Sequence, residues 1–130
     1  MKVYLDYGAA APIDPRVLEA MMPYFTEHFG NPSSVHSYSH RAQEALAKAR
    51  ESVASMINAD SPDEIIFTSG ATESSNLALK GITYRNRDKG NRIVTTAVEH
   101  ISILNIGKYL AHEGFEVVEL PVDNYGLVDV

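Results

Sequence analysis

Cysteine is absent from the 130 residues. That excludes disulfides, thiolate metal sites and a cysteine nucleophile within this chain. Tryptophan is also absent, which removes the indole that often anchors a partner. No apolar run reaches the roughly 18–20 residues a membrane-spanning helix needs. The opening Met1-Lys2-Val3-Tyr4-Leu5-Asp6 has no secretory apolar segment. Basic residues are few, 11 against 17 acidic, for a formal charge of −6. A nucleic-acid or anionic-membrane surface needs clustered Lys and Arg, so neither partner is expected. The expected setting is cytoplasmic.

What is present is ordinary for a globular chain: 45% hydrophobic and 22% charged residues. At this length one core is expected, not two. Residues 1–14 read as an extended arm, because Gly8 and the alanines at 9, 10 and 11 bury little and Pro12 breaks any helix. Asp14-Pro15 is a helix start, an Asp N-cap followed by proline at the first helical position. Val17, Leu18, Met21, Met22 and Phe25 follow at helical spacing, and Pro23 is expected to kink or shorten this helix. Gly30-Asn31-Pro32-Ser33-Ser34 has turn chemistry. A second helix is expected over 37–57, with Ala42, Ala45, Leu46, Ala49, Val53, Met56 and Ile57 as its apolar stripe.

The texture then changes. Ile65-Ile66-Phe67 reads as a short buried strand, followed by a tight turn and a helix over 71–84. Residues 93–98 form a second β-rich run, and 102–113 a helix stopped by Gly114. Residues 115–120 are a third strand candidate. From residue 64 the order is βαβαβ, which favours a parallel α/β sheet with crossover helices. An arm and two helices precede that unit.

The window most informative about chemistry is Phe67-Thr68-Ser69-Gly70-Ala71-Thr72-Glu73. A strand, small-residue turn and helix start would aim free backbone amides at one spot, and phosphate is the usual occupant. Gly70 would let a ligand approach the backbone, and the Thr72 hydroxyl could add a donor. A plainer reading is that Ser69 or Thr72 simply caps the helix. Neither G-x-G-x-x-G nor G-x-x-x-x-G-K-[ST] occurs, so dinucleotide and P-loop sites are disfavoured. His100 follows the second β-rich run. Ligands of open α/β sheets sit beyond the strands' carboxyl ends, so His100 is expected on the same edge as Gly70 and Thr72. There it could stack on a planar ligand or move a proton, or it could cap the next helix. His36 and His40 are four apart, but no third ligand is near, so no metal site is expected. Tyr4, Tyr7, Tyr24 and Tyr38 read as core or interface residues.

Several motifs, in this order, resemble those of NifS/IscS-like cysteine desulfurases. They are Tyr4-Leu5-Asp6-Tyr7, then Gly30-Asn31-Pro32-Ser33-Ser34-Val35-His36, then Thr68-Ser69-Gly70-Ala71-Thr72-Glu73 with Asn76-Leu77-Ala78. Ala10 to Pro15, Ala97-Val98-Glu99-His100, Gly114-Phe115-Glu116-Val117, Leu120-Pro121-Val122-Asp123 and Tyr125-Gly126 belong to the same set. Those enzymes belong to the class V aminotransferase group, with the fold of type-I pyridoxal-phosphate (PLP) transferases. The resemblance covers the whole chain. It implies pyridoxal 5′-phosphate as cofactor, with Gly70, Ala71 and Thr72 at its phosphate and His100 stacked on its ring as the catalytic histidine. It also implies L-cysteine as substrate, alanine and an enzyme persulfide as products, and sulfur supply for iron–sulfur clusters. A homodimer and an iron–sulfur scaffold protein are the implied partners. By the same resemblance, residues 1–14 would belong to a small domain and 15–130 would begin a large PLP-binding domain.

There are departures. Ser39 stands where a glycine is common, and Gly8 where many members carry a small polar residue. None of Lys2, Lys48, Lys80, Lys89 and Lys108 sits at the family's cofactor-bonding position. That lysine, the aspartate at the pyridine nitrogen and the sulfur-accepting cysteine are expected beyond residue 130. The chain is therefore expected to be an inactive fragment that pairs with itself or with a C-terminal part. Two other readings stand beside it: a non-catalytic module for dimerisation or partner docking, and part of another class V aminotransferase or lyase.

Overall fold

The computed structural model describes residues 1–128. The chain forms two compact units, Met1–Ile66 and a second from Phe67 onward. The expectation of one core thus gives way to two units. The division falls inside Ile65-Ile66-Phe67, the run expected as the first strand.

The first unit is built on two helices. Helix α1 spans Pro15–Thr26 and starts as expected: the Asp14 carboxylate accepts the Arg16 amide at 2.8 Å, with proline in the first turn. Pro23 does not stop it. The chain stays helical to Thr26, and the Pro23 carbonyl accepts both the Glu27 and His28 amides at the exit. No residue of α1 is buried. Helix α2, Ser37–Ile57, has the expected bounds and ends on Asn58 in the left-handed region, φ 54°. No residue of its stripe is fully buried: Ala42, Ala45, Leu46 and Val53 are half-buried and Ala49, Met56 and Ile57 exposed, while the buried Ala54 lies outside the stripe.

Gly30 is fixed by a close approach. A Cβ there would lie 2.0 Å from the Tyr38 carbonyl oxygen, so no other residue fits without moving the start of α2. Ser39 is fully buried beside this contact, and its hydroxyl lies 3.1 Å from His36 Nδ1. The Asn31 side chain accepts the Ser33 amide, and Gln43 of α2 donates to the Ser34 carbonyl. The four tyrosines expected in a core or interface, Tyr4, Tyr7, Tyr24 and Tyr38, are all exposed in this chain.

A short 3₁₀ turn, Pro62–Glu64, closes the unit. Ile65 follows in extended conformation, φ −89° and ψ 117°, and its side chain is buried. It is not a strand. Its amide donates to the Pro62 carbonyl at 3.1 Å and its carbonyl accepts from the Arg50 guanidinium. With both backbone groups engaged locally, Ile65 joins no ladder among the described residues.

The second unit holds helix α3 (Ala71–Arg85), strand β1 (Arg92–Thr96), helix α4 (Ile101–His112) and strand β2 (Glu116–Leu120). The strands pair in parallel, from Arg92 opposite Glu116 to Thr96 opposite Leu120. The α/β class and parallel pairing stand. Among the described residues, however, the sheet has two strands rather than the three of the expected βαβαβ order. The core is Ile106, Leu110 and Phe115, with Leu79, Ile93, Ile103 and Val117 packed on it. Gly107 brings α4 close to the sheet, since a Cβ there would sit 3.4 Å from Val117 Cγ1. Gly114, φ +90°, ends α4 as expected. Among the described residues no helix is long and apolar enough to cross a membrane.

Candidate functional site

Helix α3 begins without a side-chain cap. Its N-cap is Gly70, and the first amide with a helical partner is Ser74, which donates to the Gly70 carbonyl at 3.1 Å. The amides of Ala71, Thr72 and Glu73 therefore stay free of partners among the described residues, as expected for three of the four unpaired donors at a helix start. A Cβ on Gly70 would meet nothing within 4 Å, so the space before these donors is open. Gly70, Ala71 and Thr72 are all exposed.

The capping reading of this turn fails for both residues it named. Ser69 is not the N-cap. It donates instead, through its amide at 2.7 Å and its hydroxyl at 2.6 Å, to the Glu73 carboxylate. The Thr72 hydroxyl caps nothing; its carbonyl accepts from Asn76 at 2.9 Å. The Thr68 and Ser74 hydroxyls, 2.6 Å apart, tie the segment before the turn to the helix. The two Ser69 donors hold the Glu73 carboxyl below the usual carboxylate range. Glu73 was not singled out from the sequence, although an acidic residue in a first helical turn after Ser and Gly is a legible signal.

His100 has a different outcome, because the capping reading holds. It is the N-cap of α4, with Nδ1 accepting the Ser102 amide at 3.2 Å and lying 2.8 Å from the Ser102 hydroxyl. The ring is exposed. Capping uses one ring nitrogen only, so Nε2 keeps its capacity to meet a ligand.

Contacts along α3 and α4 fix how these two starts are arranged. Leu79 and Ile103 line one small cavity of about 70 Å³ with Ile106 and Leu110. Further along, Lys80 Nζ lies 4.1 Å above the Tyr109 ring, and the Tyr84 hydroxyl donates to that of Tyr109 at 3.5 Å. Beyond the helices, Arg87 donates to the Glu113 carbonyl at 3.2 Å. The order is the same on both helices, so they run in the same direction. Their amino ends, Gly70 to Thr72 and His100, lie at one end of the unit, beyond the carboxyl end of β1. Helix dipoles add there, which favours an anion. Among the described residues no group of three or more His, Cys, Asp or Glu could hold a metal.

A model of the class-V aminotransferase family matches residues 3–130. Among curated proteins, the chain is 54% identical over 127 residues to cysteine desulfurase IscS 1 of Archaeoglobus fulgidus, covering 98% of this chain and 33% of that protein. It is 51% identical over 129 residues to cysteine desulfurase IscS of Clostridium botulinum, covering 99% and 32%. Among solved structures, a NifS-like protein superposes with a TM-score of 0.89 at 43% identity, over 99% of this chain and 35% of that one. A second, described as SspA in complex with cysteine, gives 0.81 at 39% identity, over 91% and 34%. The chain spans about a third of the length of each of these relatives.

Proposed function

The chain belongs to the class-V aminotransferase family, and from that premise we propose that it supplies the cofactor-anchoring part of a pyridoxal-phosphate-dependent cysteine desulfurase. One observation carries the reading. The uncapped start of α3 and the start of α4, capped by His100, lie at the same end of one unit, with open space before Gly70.

The donor set fits a phosphate-bearing cofactor. The amides of Ala71 and Thr72 and the Thr72 hydroxyl would hold the phosphate, as neutral donors aided by the helix dipole. Gly70 would admit it without a side chain in the way. His100 would meet the planar ring and hold or pass a proton at Nε2. When bound, pyridoxal phosphate supplies an electron sink for the amino-acid substrate. The proposed substrate is L-cysteine, with alanine and a persulfide as products. The arm at 1–14 and the large-domain assignment of 15–130 belong to this proposal, as do a cytoplasmic setting, a homodimer and an iron–sulfur scaffold partner.

The experiment is a titration of the chain with pyridoxal phosphate and with pyridoxal. The phosphate form binds more tightly, and Thr72→Ala weakens it about tenfold or more, the worth of one hydrogen bond to a charged group. Unchanged affinity in Thr72→Ala overturns the assignment. Because the chain carries no thiol, we expect the isolated 130 residues to release no sulfide from cysteine above a cofactor-only blank; turnover would show that a cysteine-independent route exists.

A further inference from the structure

We infer that Ser102 is a positioning residue that fixes His100 in the Nε2–H tautomer, so that its free nitrogen meets a ligand as a hydrogen-bond donor. The inference rests on the reading that His100 faces the cofactor. It concerns which way the proton points.

Donor inventory decides where the proton sits. A backbone amide can only donate, and the Ser102 amide donates to His100 Nδ1 at 3.2 Å. Nδ1 must then present its lone pair, and in a neutral imidazole the proton sits on Nε2. The Ser102 hydroxyl, 2.8 Å from the same nitrogen, completes its bond by donating as well. Two donors from one residue thus converge on a single lone pair. Both come from the second residue of α4, whose position is set by the helix itself. The carbonyl of His100 is occupied at the same time, accepting the Ile103 amide at 2.8 Å. Backbone and ring are therefore held by the same turn.

The chemical consequence is directional. A neutral His100 offers N–H outward and lone pair inward. Neutral, it donates a hydrogen bond from Nε2 and can take up a proton only at Nδ1, which releases Ser102; only the imidazolium so formed can give a proton from Nε2. An alanine at position 102 keeps the amide donor and removes the hydroxyl, whereas threonine keeps both.

The test reads the tautomer directly, on the 130-residue chain without cofactor. The ring nitrogens of His100 are followed by long-range ¹H–¹⁵N correlation in ¹⁵N-labelled wild type, Ser102→Ala and Ser102→Thr, with the imidazole neutral. Wild type and Ser102→Thr show the Nε2–H form almost alone. Ser102→Ala lowers the Nε2–H to Nδ1–H ratio about fivefold, the worth of one neutral hydrogen bond. An Nδ1–H majority in wild type overturns the inference, and so does a ratio in Ser102→Ala equal to that of wild type. Adding pyridoxal phosphate separates this question from the preceding one. If the tautomer is as stated and the His100 signals do not move, the cofactor reading fails while the role of Ser102 stands.

Discussion

At the scale of single residues, the turn at 69–73 is held by the Glu73 carboxylate. Glu73 takes two hydrogen bonds from Ser69, and those bonds favour its ionised form. Its folded value lies below 4.5, so the contribution to stability is complete above 4.5 and is lost as pH falls through the lowered value. Acidification from neutral pH to below 4.5 should therefore loosen the Ser69 amide before the Ile106–Leu110 core opens. Hydrogen exchange at Ser69 measures this: protection falls with acid in the wild type, and Glu73→Gln flattens the dependence. A Ser69 amide that exchanges alike at all pH values would contradict the latch. This network was hidden from a reading of spacing, which offered Ser69 and Thr72 as rival caps. Only the coordinates show that neither caps and that the glycine between them leaves the amides open. For His100 the rival readings turn out to be compatible, because an imidazole has two nitrogens and the cap needs one.

At the scale of elements, helix α4 organises the second unit. Leu110 is 1% exposed and sits among Ile106 and Phe115. Leu110→Ala should cost about 2–5 kcal/mol, as burial lost plus a cavity, enough to unfold a marginal unit. Thermal unfolding followed by circular dichroism gives the answer, and a shift near zero would mean that this cluster is not the core. The helices were legible because each carries its own punctuation: Asp14-Pro15 before α1, Asn58 after α2 and Gly114 after α4. The strands were less so. Ile65-Ile66-Phe67 has strand composition and Ile65 has strand dihedral angles, yet it lacks a ladder. Composition sets what a segment tolerates, while pairing needs a neighbour whose donors and acceptors are free. Here Pro62 and Arg50 reach Ile65 first.

At the scale of the whole molecule, the surface is larger than folding alone would leave. The chain exposes 10660 Å². Two separate compact units of half its mass would together expose about 8,200 Å². Large apolar side chains are among the exposed residues: Val17, Leu18, Met22 and Phe25 along α1, and Ile66, Phe67, Leu77 and Ile82 in and before α3. Patches of this kind mark surfaces that bind other protein. The isolated chain should self-associate at micromolar concentration and bind a hydrophobic dye. Sedimentation velocity tests this, and a dye-silent monomer at all concentrations would show that the apolar faces are satisfied in another way. The pairing of this surface with further class-V polypeptide, or with a second copy, belongs to the proposed function.

The sequence by itself determined the family and the places where helices start and stop. Those features are written in local chemistry: caps, breakers, glycine at tight approaches and motifs in a fixed order. Tertiary structure decided which amides remain open, which nitrogen of His100 the cap engages, and which β-rich runs become strands. Each of these depends on a partner brought from elsewhere in the chain or from the next turn of a helix. A hydrogen bond belongs to a pair of groups, and a linear string names the groups without saying which ones meet.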